Sequence, residues 1–171
     1  MTSVVIIGGG PGGYEAALVA RQLGAEVTVI ESAGLGGSAV LTDVVPSKAL
    51  IAVAEAATDV RGAAVLGVHA SDVTVDLAEV NARLKKWAAS QSADITTRVG
   101  AVGVRIIHGH GRLVSASTVE AELADGTTEV LKADAILLAT GARPRKLETA
   151  QPDGERILSW TQLYDLDELP E

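Results

Sequence analysis

Residues 4–13 have the sequence VVIIGGGPGG, an apolar run that ends abruptly in glycine. The first four residues are β-branched and carry no polar side chain, which is typical of a parallel strand buried on both faces. Gly8, Gly10 and Gly13 then have the GxGxxG spacing of a tight turn that lets a pyrophosphate approach backbone N–H groups. The apolar residues that follow predict a helix ending at Gly24, with the positive end of its dipole facing an anion over the turn.

A second predicted strand supplies the context that a lone glycine motif lacks. Residues 25–30 are again mostly apolar, and Glu31 follows at the carboxyl end, 18 residues after Gly13. An acidic side chain at this place accepts hydrogen bonds from the ribose hydroxyls of an adenosine, and it disfavours a 2′-phosphate. The sequence therefore predicts a dinucleotide, NAD or FAD rather than NADP. The alternative, a glycine turn that binds nothing, is disfavoured by this combination of strand, turn, helix, strand and acid.

Composition and charge narrow the classes of ligand and partner. The 171 residues suit one domain, and with 2% aromatic residues and no Phe its core must be built from Ala, Val, Leu and Ile. A net charge of −8 argues against nucleic acid or an anionic membrane surface as a partner. The absence of Cys excludes disulfides, thiolate catalysis and cysteine metal sites in this chain. The first apolar run is too short and too glycine-rich for a signal peptide or a membrane span, so we expect a cytoplasmic protein.

A second glycine cluster, at Gly34, Gly36 and Gly37, favours FAD over NAD. A ligand that continues past the first pyrophosphate contact needs a second close approach to the backbone, and only glycine leaves room for it. A plain NAD-binding unit has no need of such a cluster.

The rest of the chain predicts an α/β fold with a Rossmann-like parallel sheet and helices. We expect two amphipathic helices, a hairpin at Asp125-Gly126, a buried strand leading to Ala139, and short helical turns near the end. The predicted elements are a helical turn or two within 38–46, helices at 48–64 and 76–99, strands at 104–107, 112–114, 118–123, 128–131 and 134–138, and turns at 159–163 and 165–169.

Five motifs in order resemble the FAD-binding domain of the flavoprotein disulfide reductases, the group of dihydrolipoamide dehydrogenase and glutathione reductase. The motifs are GGGPGG at 8–13, Glu31 after the second strand, Gly36-Gly37-Ser38, Pro46-Ser47-Lys48 and Ala139-Thr140-Gly141. The resemblance covers essentially the whole chain and implies FAD as the cofactor. It also implies that the strands at 104–131 form an antiparallel β-meander crossover beside the parallel sheet.

The resemblance implies a role for each matching residue. The first glycine turn would hold the FAD pyrophosphate, Glu31 the adenosine ribose, and Lys48 the flavin ring near N5. The backbone around Gly111 would meet the adenine, and Thr140 would belong to a second FAD turn. The implied cofactor-binding residues are Gly8, Gly10, Pro11, Gly12, Gly13, Glu31, Ser32, Gly36, Gly37, Ser38, Lys48, His110, Gly111, Ala139, Thr140 and Gly141.

One departure from the family pattern decides the expected chemistry. The family's redox cysteines correspond to Ala39 and Val44 here, so no thiolate can pass electrons to a disulfide. The pattern GGSAVLTDVVPSK at 36–48, together with LSWTQLYDLDELP at 158–170, is similar to a cysteine-free branch of NAD(P)H quinone reductases. That resemblance implies NAD(P)H as the electron donor and a quinone-type small molecule as the acceptor.

The length departs from the family as well. Relatives continue into a nicotinamide-binding domain and a dimerisation domain, and they form homodimers. We therefore expect residues 1–150 to be the first segment of an FAD-binding domain and 151–171 to be a linker towards an NAD(P)-binding domain. Alone, such a segment is expected to bind FAD weakly and to be inactive. Two alternatives stay open: an inert FAD-binding module, and a simple NAD-dependent dehydrogenase, which the second glycine cluster disfavours.

Other conspicuous residues favour structural interpretations. We predict no catalytic residue and no metal site, since His108 and His110 share a strand face without a third ligand. Lys48 alone would be an ordinary surface lysine, and only the Pro-Ser pair before it favours a flavin contact. Trp87 is predicted in the core, and Trp160 is predicted to pack the C-terminal segment against the domain.

Overall fold

The structure, a computed structural model, describes residues 1–170. Its strands are β1 (Ser3–Ile7), β2 (Glu26–Glu31), β3 (Arg105–Ser115), β4 (Thr118–Leu123), β5 (Thr128–Lys132) and β6 (Ala135–Leu138). In this described part of the chain they form a six-stranded sheet in the order β5-β4-β3-β2-β1-β6. β6, β1, β2 and the first part of β3 are parallel, whereas the rest of β3 forms an antiparallel meander with β4 and β5. The predicted fold class is therefore confirmed.

The helices are α1 (Pro11–Gln22), α2 (Gly37–Leu41), α3 (Val44–Gly62), α4 (Leu77–Ala101) and α5 (Trp160–Leu163), and a 3₁₀ turn covers Ala63–Leu66. The described residues fall into two compact units, of which the first comprises 1–41 and 90–143 and carries the sheet. The second comprises 42–89 and the residues from 144 onward, with α3, α5 and the first half of α4. The expected boundary between an FAD-binding domain and a linker at residue 150 stays a prediction.

The sheet of the first unit has a separate apolar cover on each face. Because side chains alternate along a strand, β1 and β2 contribute to both covers. On one face they pack with α1 and the end of α4, and on the other they pack with the meander. The first cluster is Ile6, Ala17, Ala25, Val27, Val29, Leu35, Val99 and Val104, and the second is Val5, Ile7, Ile30, Ile107, Val119, Ala121 and Ala133. Burial of β1 on both faces is confirmed.

Two strand predictions are wrong in detail. Residues 105–107 and 112–114 belong to one strand, β3, rather than to two. Glycines interrupt the apolar pattern of β3, and a Cβ atom on Gly109 would lie only 2.2 Å from the Glu122 carbonyl oxygen of β4. The strand at 134–138 is not buried, because β6 lies at the edge of the described sheet and Leu138 is 56% exposed.

The helices of the second unit differ from their predictions in exposure and in one boundary. The helix expected from residue 48 begins at Val44, since Pro46 lies in the first turn, where its missing N–H costs nothing. Val60, which belongs to the apolar face predicted for the same helix, is 44% exposed. Trp87, predicted in the core, is 46% exposed, and the Arg83 guanidinium lies 4.7 Å from its ring centre. The apolar periodicity predicted these helices, but it does not indicate which residues pack against them.

The segment around α5 is held against α4 within the second unit. The buried Asn81 side-chain amide donates a hydrogen bond to the Leu166 carbonyl oxygen at 2.8 Å. Lys85 forms a salt bridge with Asp165, with 2.6 Å between the nitrogen and the oxygen. Tyr164, at 7% exposed, is the buried aromatic residue of this segment rather than Trp160, at 39%. Burial raises the pKa of the Tyr164 hydroxyl.

Asp134 joins the beginning of β6 to the beginning of β1, and this contact should make stability depend on pH. Its carboxylate accepts hydrogen bonds from the Ser3 N–H at 2.8 Å and the Ser3 hydroxyl at 3.0 Å, which lower the pKa of Asp134. A carboxyl with a lowered pKa stabilises the folded state above its unfolded-state pKa of about 4, and that contribution is lost as the pH falls through the folded-state pKa. We expect Asp134→Asn to lower the thermal unfolding midpoint at neutral pH and to lower it progressively less below about pH 4.

Thermal unfolding followed by circular dichroism across this pH range tests the prediction. Asp94→Asn, which removes one negative charge from the exposed side of α4, is the control for the change in net charge. A difference between Asp134→Asn and wild type that stays constant from neutral to acidic pH would contradict the assigned role.

Candidate functional site

The carboxyl ends of three parallel strands bring candidate residues of the first unit together. Ile7 of β1 is in register with Ile30 of β2 and with the last residue of β6. Gly8, Glu31 and Ala139 therefore follow side by side. The Gly8 N–H donates to the Ile30 carbonyl oxygen at 2.9 Å, and the Ala139 N–H donates to the Ile7 carbonyl oxygen at 2.8 Å. Ligands of open parallel sheets bind at this edge.

Two glycines of the first turn are required by close packing. Gly8 has a φ of +105°, and a Cβ atom there would lie 2.2 Å from the Ala139 carbonyl oxygen. A Cβ atom on Gly13 would lie 1.9 Å from the Gly8 carbonyl oxygen. Any larger residue at either position would push the turn, α1 and the end of β6 apart.

Gly10 and Gly12 of the same turn border open space. A Cβ atom on Gly10 or Gly12 would have none of the described atoms within 4 Å. Gly10 is the N-cap of α1, and its carbonyl oxygen accepts the N–H groups of Gly13 and Tyr14, both at 2.9 Å. The remaining N–H groups of a helix start and the helix dipole favour an anion. The turn thus fits a phosphate, in a cradle that Cβ atoms on Gly10 and Gly12 would fill.

Glu31 is tied to the backbone on both sides of the site. One carboxylate oxygen accepts the Gly9 N–H at 2.6 Å, and the other accepts the Ala33 N–H at 2.7 Å and, more distantly, the Gly34 N–H at 3.4 Å. The sequence predicts a ribose contact for this side chain but does not indicate that the carboxylate also joins two loops. The oxygen that accepts the Gly9 N–H keeps a second lone pair, and the bond from the Gly34 N–H to the other oxygen is long, so ribose hydroxyls can still be accepted.

The second glycine cluster packs directly against the first turn. The Gly36 N–H donates to the Gly9 carbonyl oxygen at 2.8 Å. Gly37 has a φ of +55°, and a Cβ atom there would lie 2.8 Å from the Gly10 Cα. Contact between the two loops therefore explains these glycines, and the approach of a ligand to them stays a prediction.

The remaining candidates lie around this edge or in the second unit. His110 and Gly111 lie on β3, where a Cβ atom on Gly111 would come 2.8 Å from the Ile7 side chain. Gly141, with a φ of +69°, follows β6. Lys48 is exposed on α3 in the second unit. The exposed candidates are Pro11, Gly12, Ser32, Ser38, Lys48, His110, Thr140 and Gly141.

Sequence reasoning missed Gly9, Leu35 and Ser92. Gly9 offers its N–H to Glu31 and its carbonyl oxygen to the second loop. Leu35 is fully buried and anchors the second loop in the core. Ser92 of α4 donates to the Leu35 carbonyl oxygen at 2.7 Å. The available signal for Ser92 was its place in the buried stripe of α4, four residues after Ala88, where a polar side chain requires a partner.

The described residues contain neither a metal-ligand cluster nor a membrane-spanning helix. Among residues 1–170, His, Cys, Asp and Glu side chains nowhere gather in a group of three or more suited to a metal ion. The same stretch contains no helix long and apolar enough to cross a membrane.

Comparison with known proteins identifies the family of this chain. Residues 2–170 match the family model described as pyridine nucleotide-disulphide oxidoreductase. The chain belongs to this family. The resemblance inferred from the five motifs is therefore confirmed.

Individual members of the pyridine nucleotide-disulphide oxidoreductase family are similar over nearly the whole chain. An NAD(P)H dehydrogenase (quinone) of Mycobacterium tuberculosis is 50% identical over 100% of this chain and 37% of that protein. A dihydrolipoyl dehydrogenase of Chlorobaculum parvum is 34% identical over 98% of this chain and 36% of that protein. The crystal structure of LpdA from Mycobacterium tuberculosis matches with a TM-score of 0.92 and 50% identity, over 99% of this chain and 38% of that one. The chain spans little more than a third of the length of these relatives.

Gly12 and Gly13 of the first turn should respond differently to a methyl group. We expect Gly13→Ala to destabilise the fold by more than about 3 kcal/mol, because its Cβ would overlap the Gly8 carbonyl oxygen. Gly12→Ala should keep or raise the unfolding midpoint, since its Cβ enters open space and alanine favours a helix. Urea unfolding of both variants measures the difference. Equal stabilities would show that the packing of Gly13 against Gly8 is not a constraint.

Proposed function

We propose that this chain is the FAD-binding part of a flavin-dependent NAD(P)H oxidoreductase that passes electrons directly to a quinone-type acceptor. The observation that carries the proposal is the pair of interlocked glycine loops at the carboxyl ends of β1 and β2. The Gly36 N–H to Gly9 bond joins them, and Gly10 and Gly12 leave open space over the start of α1. Family membership supports the oxidoreductase class.

The choice of FAD rests on the shape and charge of this edge. A pyrophosphate is expected at the backbone N–H groups of Gly10 and Gly12, where the dipole of α1 is positive. Glu31 is expected to accept the ribose hydroxyls, because the oxygen bonded to Gly9 keeps a lone pair and the bond of the other oxygen to the Gly34 N–H is long. Its negative charge disfavours a 2′-phosphate there. The second loop gives a longer ligand another stretch of backbone to follow.

The resemblance assigns roles to the other candidates. The backbone at His110 and Gly111 is assigned to the adenine, and Thr140 and Gly141 to a second FAD turn. Lys48 is assigned to the flavin ring, where a cation favours negative charge that develops on reduction. When bound, FAD supplies the two-electron chemistry between a nicotinamide donor and an acceptor. The residues of this chain bind and orient the cofactor.

Two observations support a quinone-type acceptor. Ala39 and Val44 replace the cysteines of the disulfide-reducing relatives, so electrons have no thiol route out of this chain. A relative that is 50% identical carries the name NAD(P)H dehydrogenase (quinone). Because this chain covers 37% of that protein, the nicotinamide donor, a homodimeric assembly and a cytoplasmic location are proposed for the complete form only.

Titration with FAD tests the cofactor assignment. We expect saturable quenching of flavin fluorescence, and we expect Gly12→Ala to weaken binding about tenfold or more because its methyl group enters the phosphate space. Gly100→Ala is the matched control, since it also adds a methyl group to open helical surface, in the last turns of α4. NAD is titrated in parallel.

Two outcomes of the titration would contradict the cofactor assignment. If NAD binds and FAD does not, the chain is a simple NAD-binding unit. If Gly12→Ala and Gly100→Ala bind FAD as tightly as wild type, the phosphate does not lie over α1.

A second experiment tests the acceptor. The FAD-loaded chain is photoreduced in the absence of oxygen, so that photoreduction takes the place of the nicotinamide donor. The reduced protein is then mixed with benzoquinone or lipoamide. We expect benzoquinone to restore the absorbance of oxidised flavin and lipoamide to leave it unchanged, because lipoamide reduction requires a cysteine pair. Free FAD treated in the same way gives the background rate. Equal rates with both acceptors would refute the direct route, and no reaction with either would favour an inert module.

A further inference from the structure

Ser92 has no role in the proposed chemistry, yet it is buried and makes a short hydrogen bond to a site loop. It is 6% exposed, and its hydroxyl donates to the Leu35 carbonyl oxygen at 2.7 Å. Leu35 is 0% exposed, so this carbonyl belongs to a loop that is anchored in the core. The Ser92 oxygen also lies close to Gly34, where a Cβ atom would approach it to 2.9 Å.

The peptide unit that Ser92 contacts continues the hydrogen bonding towards the first glycine turn. The Leu35 carbonyl and the Gly36 N–H belong to one planar trans peptide, in which the two groups point in opposite directions. Ser92 donates to one end of this unit, and the other end donates to the Gly9 carbonyl oxygen at 2.8 Å.

The peptide unit between Gly9 and Gly10 repeats this arrangement. The Gly9 carbonyl shares a peptide unit with the Gly10 N–H, and Gly10 is the N-cap that borders open space over α1. The Ser92 hydroxyl thus donates to the 35–36 peptide, and the 35–36 peptide donates to the 9–10 peptide. The hydrogen bonds of this chain all run in the same direction, from Ser92 towards the Gly10 N–H. Hydrogen bonds in such chains polarise one another. The glutamate bond to the Gly9 N–H holds the same turn from its other side.

We propose that Ser92 is a positioning residue for the phosphate site: through the 35–36 and 9–10 peptides it orients and polarises the Gly10 N–H. This inference rests on the proposed FAD function for the identity of the ligand. The hydrogen-bonded chain itself lies within the first unit and exists without a ligand. Ser92 acts on the ligand only through the two loops, and it explains why a helix from the later part of the chain carries a buried hydroxyl at this point.

Ser92→Ala tests the proposal, since it removes the hydroxyl, keeps nearly the same volume and favours the helix. We expect the dissociation constant for FAD to rise about five- to tenfold, because the buried Leu35 carbonyl loses its partner and the turn loses its fixed shape. Thr96→Ala is the matched control. The Thr96 hydroxyl lies one turn further along α4 and donates only to the Ser92 carbonyl of the same helix, at 2.8 Å. Ser92→Thr, which keeps a hydroxyl, should recover part of the affinity.

A measurement without FAD separates the failure of this inference from the failure of the proposed function. In ¹⁵N–¹H spectra of the free chain, Ser92→Ala should shift the Gly36 and Gly10 amide protons upfield and speed hydrogen exchange of the Gly36 amide. Thr96→Ala should leave both resonances in place. If wild type does not bind FAD, the proposed function is wrong, and the amide shifts alone decide whether the chain from Ser92 exists. Unchanged Gly36 and Gly10 resonances in Ser92→Ala, or FAD affinity equal to wild type, would overturn the assignment of Ser92.

Discussion

The hydrogen bond from the Gly36 N–H to the Gly9 carbonyl oxygen is the constraint on which the candidate site depends. It requires the first turn to present a carbonyl outward from the sheet edge and the second loop to approach within 2.8 Å. That approach is possible only because Gly37 has no Cβ to meet Gly10. It also requires β1 and β2 to end at the same level, which their in-register parallel pairing provides. The register of the sheet, the glycines of the two loops and the open space over α1 therefore depend on one another.

The sequence predicted what depends on local pattern and missed what depends on distant contacts. The β-branched run before Gly8 predicted β1, and Asp125-Gly126 predicted the hairpin between β4 and β5, because both signals are contained within a few residues. Edge position is not a local property, so β6 with its four apolar residues looked like a buried strand. Leu35 and Ser92 meet from positions 57 residues apart. No periodicity indicates such a pair.

If an acidic chain is to bind the anionic cofactor proposed here, it must place positive potential locally. The net charge of −8 makes long-range attraction of a phosphate unfavourable. Peptide N–H groups and a helix dipole solve this problem without formal charge, because their partial charges act over only a few ångströms. Glu31 then adds a negative charge at the end of β2, beside the turn. The edge of the sheet is therefore polarised along its length, and this polarity would give the proposed dinucleotide one favoured direction.

The double pairing of β3 limits how the chain can vary in length. Residues up to His108 pair in parallel with β2, and residues from Gly109 pair antiparallel with β4, with no break between the two ladders. Inserting or deleting one residue at the junction would turn every following side chain to the opposite face, so that Val119 and Ala121 would lose their partners in the core. Related proteins should therefore differ in length within the loops before β3 and between β4 and β5, whereas the step from parallel to antiparallel pairing should keep its residue count.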